Sequence, residues 1–220
     1  MKAPRKNPQP ELFATERLVA YSDALFGFAA TLLVLGLRIP TTQELAGTSL
    51  PAFLAGLWPA YLSFFLSFLI ITAVWSNHHL MFHYIKKADH SLVLFNSLLM
   101  LDIVAIPFGA GLLGEHLAGP VENARAAALV YGGIITVGGI PFNLVWWYGS
   151  RDKDRLAPGT DPGVVREISR HFRRGPFLYL TATLLVFWRV WLGVAGFVAL
   201  ILLYIIPATW AARPKARPQR

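Results

Sequence analysis

The stretch RLVAYSDALFGFAATLLVLGLRI, residues 17–39, decides the class of this chain. Between Arg17 and Arg38 it carries a single charged side chain, Asp23. A helix rising about 1.5 Å per residue over this stretch is long enough to cross a hydrocarbon core of about 30 Å. Three more stretches, 51–84, 91–113 and 125–148, read the same way. The last apolar block, Pro176 to Trp210, has 35 residues, too many for one crossing, and Arg189 interrupts it. It reads as a tight hairpin of segments 172–188 and 190–210. The expected architecture is an all-α integral membrane protein: an N-terminal tail over 1–16, six transmembrane helices within 17–212, and a basic C-terminal tail over 213–220.

Composition agrees. Of 220 residues, 55% are hydrophobic and only 15% charged, with a mean hydropathy of +0.50. A soluble domain carries about 25% charged residues to cover itself in water. This excludes a soluble enzyme, a disordered chain and a fibre. The net charge of +8 is not a nucleic-acid signature, because the basic residues fall in the gaps between apolar segments. With no cysteine there is no disulfide framework, thiol nucleophile or thiolate metal site. Residues Met1 to Glu16 are polar and Pro-rich and read as a tail, not as a signal peptide.

Six crossings place both tails on one side. That side receives 17 of the Lys and Arg residues: Lys2, Arg5, Lys6 and Arg17, the turn residues Lys86 and Lys87, seven in the 149–175 loop, and Arg213, Lys215, Arg217 and Arg220. The other side receives three, Arg38, Arg125 and Arg189. The imbalance predicts cytoplasmic termini. Within the loop, Val164 to Arg174 offers a basic helix for anionic headgroups, but reads first as a solvated linker.

Ionisable groups at bilayer depth cost roughly 2.5–3.5 kcal/mol each on insertion scales, so each is a functional candidate. Segment one has Asp23; segment two has His78 and His79, behind Trp75 and Asn77, with His83 beyond; segment three has Asn96 and Asp102. All but Asp102 lie within about two turns of the expected cytoplasmic boundary, which suggests one inter-helix network at a common depth. The alternative is an interfacial belt that only orients helices.

The run Arg17-Leu18-Val19-Ala20-Tyr21-Ser22-Asp23 resembles the first-helix signature Arg-x-x-x-Phe-Ser-Asp. That signature belongs to the potassium channels of the transmembrane protein 175 family, found in lysosomes and in bacteria. Tyr21 stands where the family usually has Phe. Trp75-Ser76-Asn77-His78-His79 resembles the second-helix motif, and Asn96 the third-helix asparagine. The resemblance implies a six-helix subunit whose first helix lines a pore, with an apolar constriction in place of a carbonyl filter. Animal members carry two such units and pair as dimers, whereas bacterial members carry one and form tetramers. This chain carries one signature, which implies a homotetramer with potassium as the permeant ion. The resemblance further implies that Arg17, Tyr21, Ser22, Asp23, Trp75, His78, His79 and Asn96 form a network that holds the pore helix and governs gating.

The residues can be set against that picture independently. On an ideal helix Phe28, Thr31, Leu32 and Leu35 lie at i, i+3, i+4 and i+7, a single stripe. Asp23 lies about 140° from Phe28 and so points away from the stripe, toward neighbouring helices. Trp75, His78, His79 and Phe82 share one face of segment two. Arg17 falls within about 20° of Phe28 on the same wheel, but it starts the helix, where geometry is loose, so its place in the network is kept. Phe28 itself stands where the family more often has an aliphatic residue.

Other motifs carry less. Thr136-Val137-Gly138-Gly139-Ile140 resembles a carbonyl filter but lies inside continuous segment four, with no pore helix before it. Gly132, Gly133, Gly138 and Gly139 read better as close helix contacts. His79 and His83 are spaced for a metal but lack a third ligand nearby.

The expectation is a potassium-favouring tetrameric cation channel of the cell membrane, with anionic lipid at its cytoplasmic face. No catalytic residue, metal, cofactor or nucleic-acid partner is expected. The competing reading is a secondary or proton-coupled transporter, for which Pro107 beside Asp102 would supply a broken helix. The native absence of cysteine makes topology directly testable. Single cysteines at Ser49, Ser150 and Ala216 are expected to differ toward an impermeant thiol reagent outside intact cells. Only position 49 should label; labelling at 150 or 216 would invert the topology.

Overall fold

The structure is a computed structural model that describes residues 12–204. It is helical apart from one two-residue strand pair and its loops. Helix α1 spans Glu16–Leu32 and continues as a 3-10 turn, Leu33–Gly36. A second 3-10 turn, Glu44–Gly47, and a short helix α2, Leu50–Gly56, lead into α3, Trp58–Tyr84. Then come α4, His90–His116, α5, Val121–Ser150, α6, Pro162–Trp188, and α7, Val190–Tyr204. Among the described residues, four spans are long and apolar enough to cross a membrane: Glu16–Gly36, Trp58–Tyr84, His90–His116 and Val121–Ser150.

Several boundaries differ from the sequence expectation, each for a local reason. Segment 17–39 leaves helical geometry after Gly36, because the residue before Pro40 is driven toward extended backbone. Segment 51–84 is two helices. Pro59 has no N–H for the Ala55 carbonyl, and the chain turns at Leu57 before α3 begins. The supposed linker 164–174 is the first half of α6. The Asp161 side chain accepts from Gly163 N at 2.8 Å and Pro162 opens the helix, a start signal strong enough to carry the basic run. The far end of segment 190–210 and both tails, 1–11 and 205–220, lie outside the described residues.

Helix α4 is the centre. It packs against α5, α3 and α1, and Leu92, Leu99, Met100, Ile103, Ile106 and Leu113 along it are fully buried. Helices α5, α6 and α7 pack in sequence order, and α7 returns to touch α3. The single extended residue Arg189 separates α6 from α7. They close on each other because Gly193 and Gly196 of α7 face Val186 and Ala182 of α6, where a Cβ would collide. Of the five α5 glycines, Gly132, Gly138, Gly139 and Gly149 serve such contacts, and Gly133 faces open space.

One end of the bundle is tied by polar groups. Strand β1, Phe13–Ala14, pairs antiparallel with β2, Lys87–Ala88. The α5–α6 loop joins them through Lys86 N to Arg155 O, 2.7 Å, and Ala157 N to Tyr84 O, 2.8 Å. Beneath lies a buried ion pair: Arg155 Nη2 donates to Asp89 Oδ2 at 2.7 Å. Tyr148 donates its hydroxyl to the same oxygen at 2.8 Å, and its ring lies 4.2 Å from the guanidinium carbon. Asp89 Oδ1 meanwhile caps α4 by accepting from Leu92 N at 3.0 Å.

Burial works against the charge on Asp89, but the Leu92 N–H, the Tyr148 hydroxyl and Arg155 together outweigh it and hold the carboxyl below the usual carboxylate range. Breaking one partner of a buried pair costs about 3–5 kcal/mol, so Arg155→Met should destabilise the solubilised protein by that order in chemical denaturation. Because folding lowers the Asp89 pKa, its contribution is complete above the unfolded aspartate pKa and disappears as pH falls through the folded one. Wild-type stability should therefore fall below about pH 4. Asp89→Asn should be weaker at neutral pH and flatter in acid; an unchanged acid slope would remove Asp89 from this role.

Candidate functional site

The signature residues of α1, α3 and α4 meet at one level, yet they form two separate arrangements. The first is buried. His78 Nε2 lies 2.9 Å from Asn96 Oδ1, Asn96 Nδ2 donates to Ser22 Oγ at 2.9 Å, and Ser22 Oγ donates to Leu18 O at 2.9 Å. The direction is determined by its end. Ser22 gives its only proton to a backbone carbonyl, so it must accept from the Asn96 amide. The Asn96 oxygen then accepts from His78, which carries its proton on Nε2. His78 Nδ1 has no partner among the described residues. Phe26 of α1 meets the imidazole edge-on at 5.3 Å, and Phe82 lies tilted at 4.7 Å. This relay links α3, α4 and α1 in series.

The second arrangement lies at the surface of the chain. Trp75 Nε1 donates to Asp23 Oδ1 at 2.9 Å, and the Trp75 ring lies 6.1 Å from that of His79. Asp23 thus meets α3 through tryptophan, and His78 is turned to Asn96 instead. Arg17, Tyr21 and His79 are exposed, with no hydrogen bond or ion pair among the described residues. The single network expected from sequence is therefore a buried relay, a surface pair with His79 beside its tryptophan, and two exposed side chains, Arg17 and Tyr21. Asp23 and Ser22 are neighbours in sequence, about 100° apart on the helix, which sends one outward and the other into the bundle.

The opposite side of α1 is open and apolar. Phe28 is 58% exposed and Leu35 76%, whereas Leu33 is 4% exposed. Thr31 is exposed between them and donates its hydroxyl to Phe28 O at 2.8 Å, leaving lone pairs outward. Leu32 is half-buried and Val34 is exposed, because the winding tightens at Leu33 and turns the last residues off the ideal stripe. Arg17 lies on the same open side as Phe28, as its wheel position requires. Among the described residues no three His, Cys, Asp or Glu side chains gather to hold a metal.

This geometry can be compared with known proteins. Residues 17–107, which hold the relay, the surface pair and the open face, match the family model described as endosomal/lysosomal potassium channel TMEM175. A potassium channel of Chamaesiphon minutus is 40% identical over 84% of this chain and 90% of that protein. The chain belongs to the TMEM175 family. A potassium channel of Streptomyces collinus is 31% identical over 74% of this chain and 78% of that one. The crystal structure of a lysosomal potassium-selective channel TMEM175 homolog from Chamaesiphon minutus superposes with a TM-score of 0.79 at 36% identity. It covers 88% of this chain and 97% of that chain.

Sequence reasoning named Ser22, His78 and Asn96, but neither the end of the relay on Leu18 O nor its separation from Asp23. It missed the Asp89–Arg155–Tyr148 knot. Asp89, at a helix start, announced only a cap, and Arg155 lies 66 positions away. The relay and the surface pair should respond differently to mutation. Asn96→Leu strands a buried imidazole N–H and leaves the Ser22 oxygen without its donor, and should cost about 1–3 kcal/mol in denaturation of the solubilised protein. Trp75→Phe removes an exposed donor and should cost less than about 1 kcal/mol. The reverse order would mean that α1 is held by Asp23 and not by the relay.

Proposed function

We propose that the chain is one subunit of a homotetrameric, potassium-favouring cation channel whose pore is lined by α1. The observation that carries this reading is the open face of α1. Phe28, Thr31 and Leu35 are all exposed, on the part of α1 turned away from the buried relay. Membership of the TMEM175 family supports it, as do relatives named as potassium channels. Those names also favour a channel over a carrier. A channel of this kind is not an enzyme.

In four copies, Phe28 and Leu35 form apolar rings around a central axis, with Leu32 at their flank. An ion passing them sheds part of its water, and the Thr31 hydroxyl oxygen replaces some of it. No ring of backbone carbonyls is involved, since 136–140 is inside α5. The buried relay of Ser22, His78 and Asn96 anchors the base of the pore helix, and the Asp23–Trp75 pair faces the neighbouring subunit. Arg17 stands at the pore entrance, with Tyr21 and His79 at the rim.

The chain lies in the cell membrane with both termini cytoplasmic, the arrangement that the 17-to-3 distribution of Lys and Arg favours. The last two crossings are the apolar half of α6 and α7. The basic half of α6, with Arg166, Arg170, Arg173 and Arg174, lies along anionic headgroups.

The test is permeation. Leu35→Ala or Phe28→Ala should raise basal conductance or weaken potassium over sodium selectivity in planar-bilayer recording. Leu35→Asn should do so more strongly, by wetting the ring. Leu33→Asn, on the buried side, should lower expression or stability instead. If the ring positions behave like Leu33, or flux only falls, α1 does not line the pore.

A further inference from the structure

Asp102 belongs to neither arrangement on α1. It sits midway along α4, in a membrane span, and has no hydrogen bond or ion pair among the described residues. Its carboxyl lies directly over Gly138, where any side chain would collide with it. Both line a cavity of about 80 Å³ enclosed by α3, α4, α5 and α6. The lining is apolar except for a few groups, and those groups are rich in oxygen. Asn77 and Asn143 line it; each donates an amide proton to its own helix, to Ala73 O and Gly139 O, and neither Oδ1 accepts a hydrogen bond among the described residues. Ile103 and Phe172 line it too, and each precedes a proline by four residues, Pro107 and Pro176. A proline has no N–H to return, so the carbonyls of both lining residues lack their usual helical partner.

From this we infer that the Asp102 cavity binds one monovalent alkali cation, a site within the subunit and separate from the α1 face. A lone carboxylate at bilayer depth is costly until a charge neutralises it, and one monovalent ion does so without excess. A divalent ion would leave a net positive charge in a low-dielectric interior. A proton would satisfy the carboxyl alone. It would give no purpose to the unpaired amide oxygens of Asn77 and Asn143 on the same cavity, whereas a hard cation takes several oxygens at once. Kinked helices with unpaired carbonyls are a recurring way of building such sites in membranes. The volume admits the ion with several waters, since one water needs about 10–15 Å³ on the same measure.

The site does not depend on the pore reading, and its test measures no current. The purified protein in detergent is melted at fixed pH and ionic strength while potassium or sodium chloride replaces choline chloride. Asp102→Asn preserves shape and removes the charge. Ions held along α1 bind wild type and variant alike, so the difference reports this cavity. The wild-type melting temperature should rise and saturate with the small cation, by about 2–4 °C more than in Asp102→Asn. Asn143→Ala should need a higher concentration for the same rise, and it serves alone if Asp102→Asn does not fold. The same cation response in wild type, Asp102→Asn and Asn143→Ala overturns the site. So does a wild-type melting temperature that follows pH but not the identity of the cation, which would make the occupant a proton.

Discussion

Inside a bilayer, water does not press helices together, because lipid tails are as apolar as leucine side chains. What sets the position of α1 against α3 and α4 must come from packing and from hydrogen bonds that have no competitor. The chain from His78 through Asn96 and Ser22 to Leu18 O meets that condition. It takes one side chain from each of three helices and ends on the backbone of α1, so it fixes rotation as well as distance. The rotation matters most. A turn of about 100° would exchange neighbouring faces of α1, taking Ser22 out of the relay and Phe28 off the open side.

The Asp89–Arg155–Tyr148 knot does comparable work at the end of the bundle. It joins the start of α4 to the end of α5 and to the loop that follows, and the β1–β2 pair brings in the chain just before α1. The relay lies about two turns from the Asp89 cap along α4, so the two polar clusters brace the same helix at neighbouring levels. Between them they set where α1 begins and which way it faces. Above the relay, contact between α1 and its neighbours is apolar, through Phe26, Ala29 and Leu33.

Much of this was legible in the sequence. Apolar length alone revealed the four long apolar spans, and the motif around Ser22, Trp75, His78 and Asn96 pointed to side chains that meet between α1, α3 and α4. What was not legible depended on backbone geometry or on distant pairing. The start of α6 was hidden by its charge, although Asp161-Pro162 signalled it. The break at Leu57 followed from Pro59 but was masked by unbroken hydrophobicity on either side. The division of the polar residues into a relay and a surface pair could not be read from spacing. His78 and His79 are adjacent, and only the positions of α1 and α4 decide which of them turns inward.

The tightening of α1 after Leu32 has a mechanical meaning. A 3-10 turn advances about 120° and 2.0 Å per residue, against about 100° and 1.5 Å in an α-helix. Three residues separate Leu32 from Leu35, so exchanging one winding for the other swings Leu35 by about 60° and shifts it by about 1.5 Å along the axis. Only Leu33 in the turn is buried, and a side chain added at Gly36 would meet only the Gly111 Cα, at 3.9 Å. The tip of α1 is thus a short screw thread seated on a fixed shaft. Its side-chain direction depends on pitch, while everything below it is locked in place.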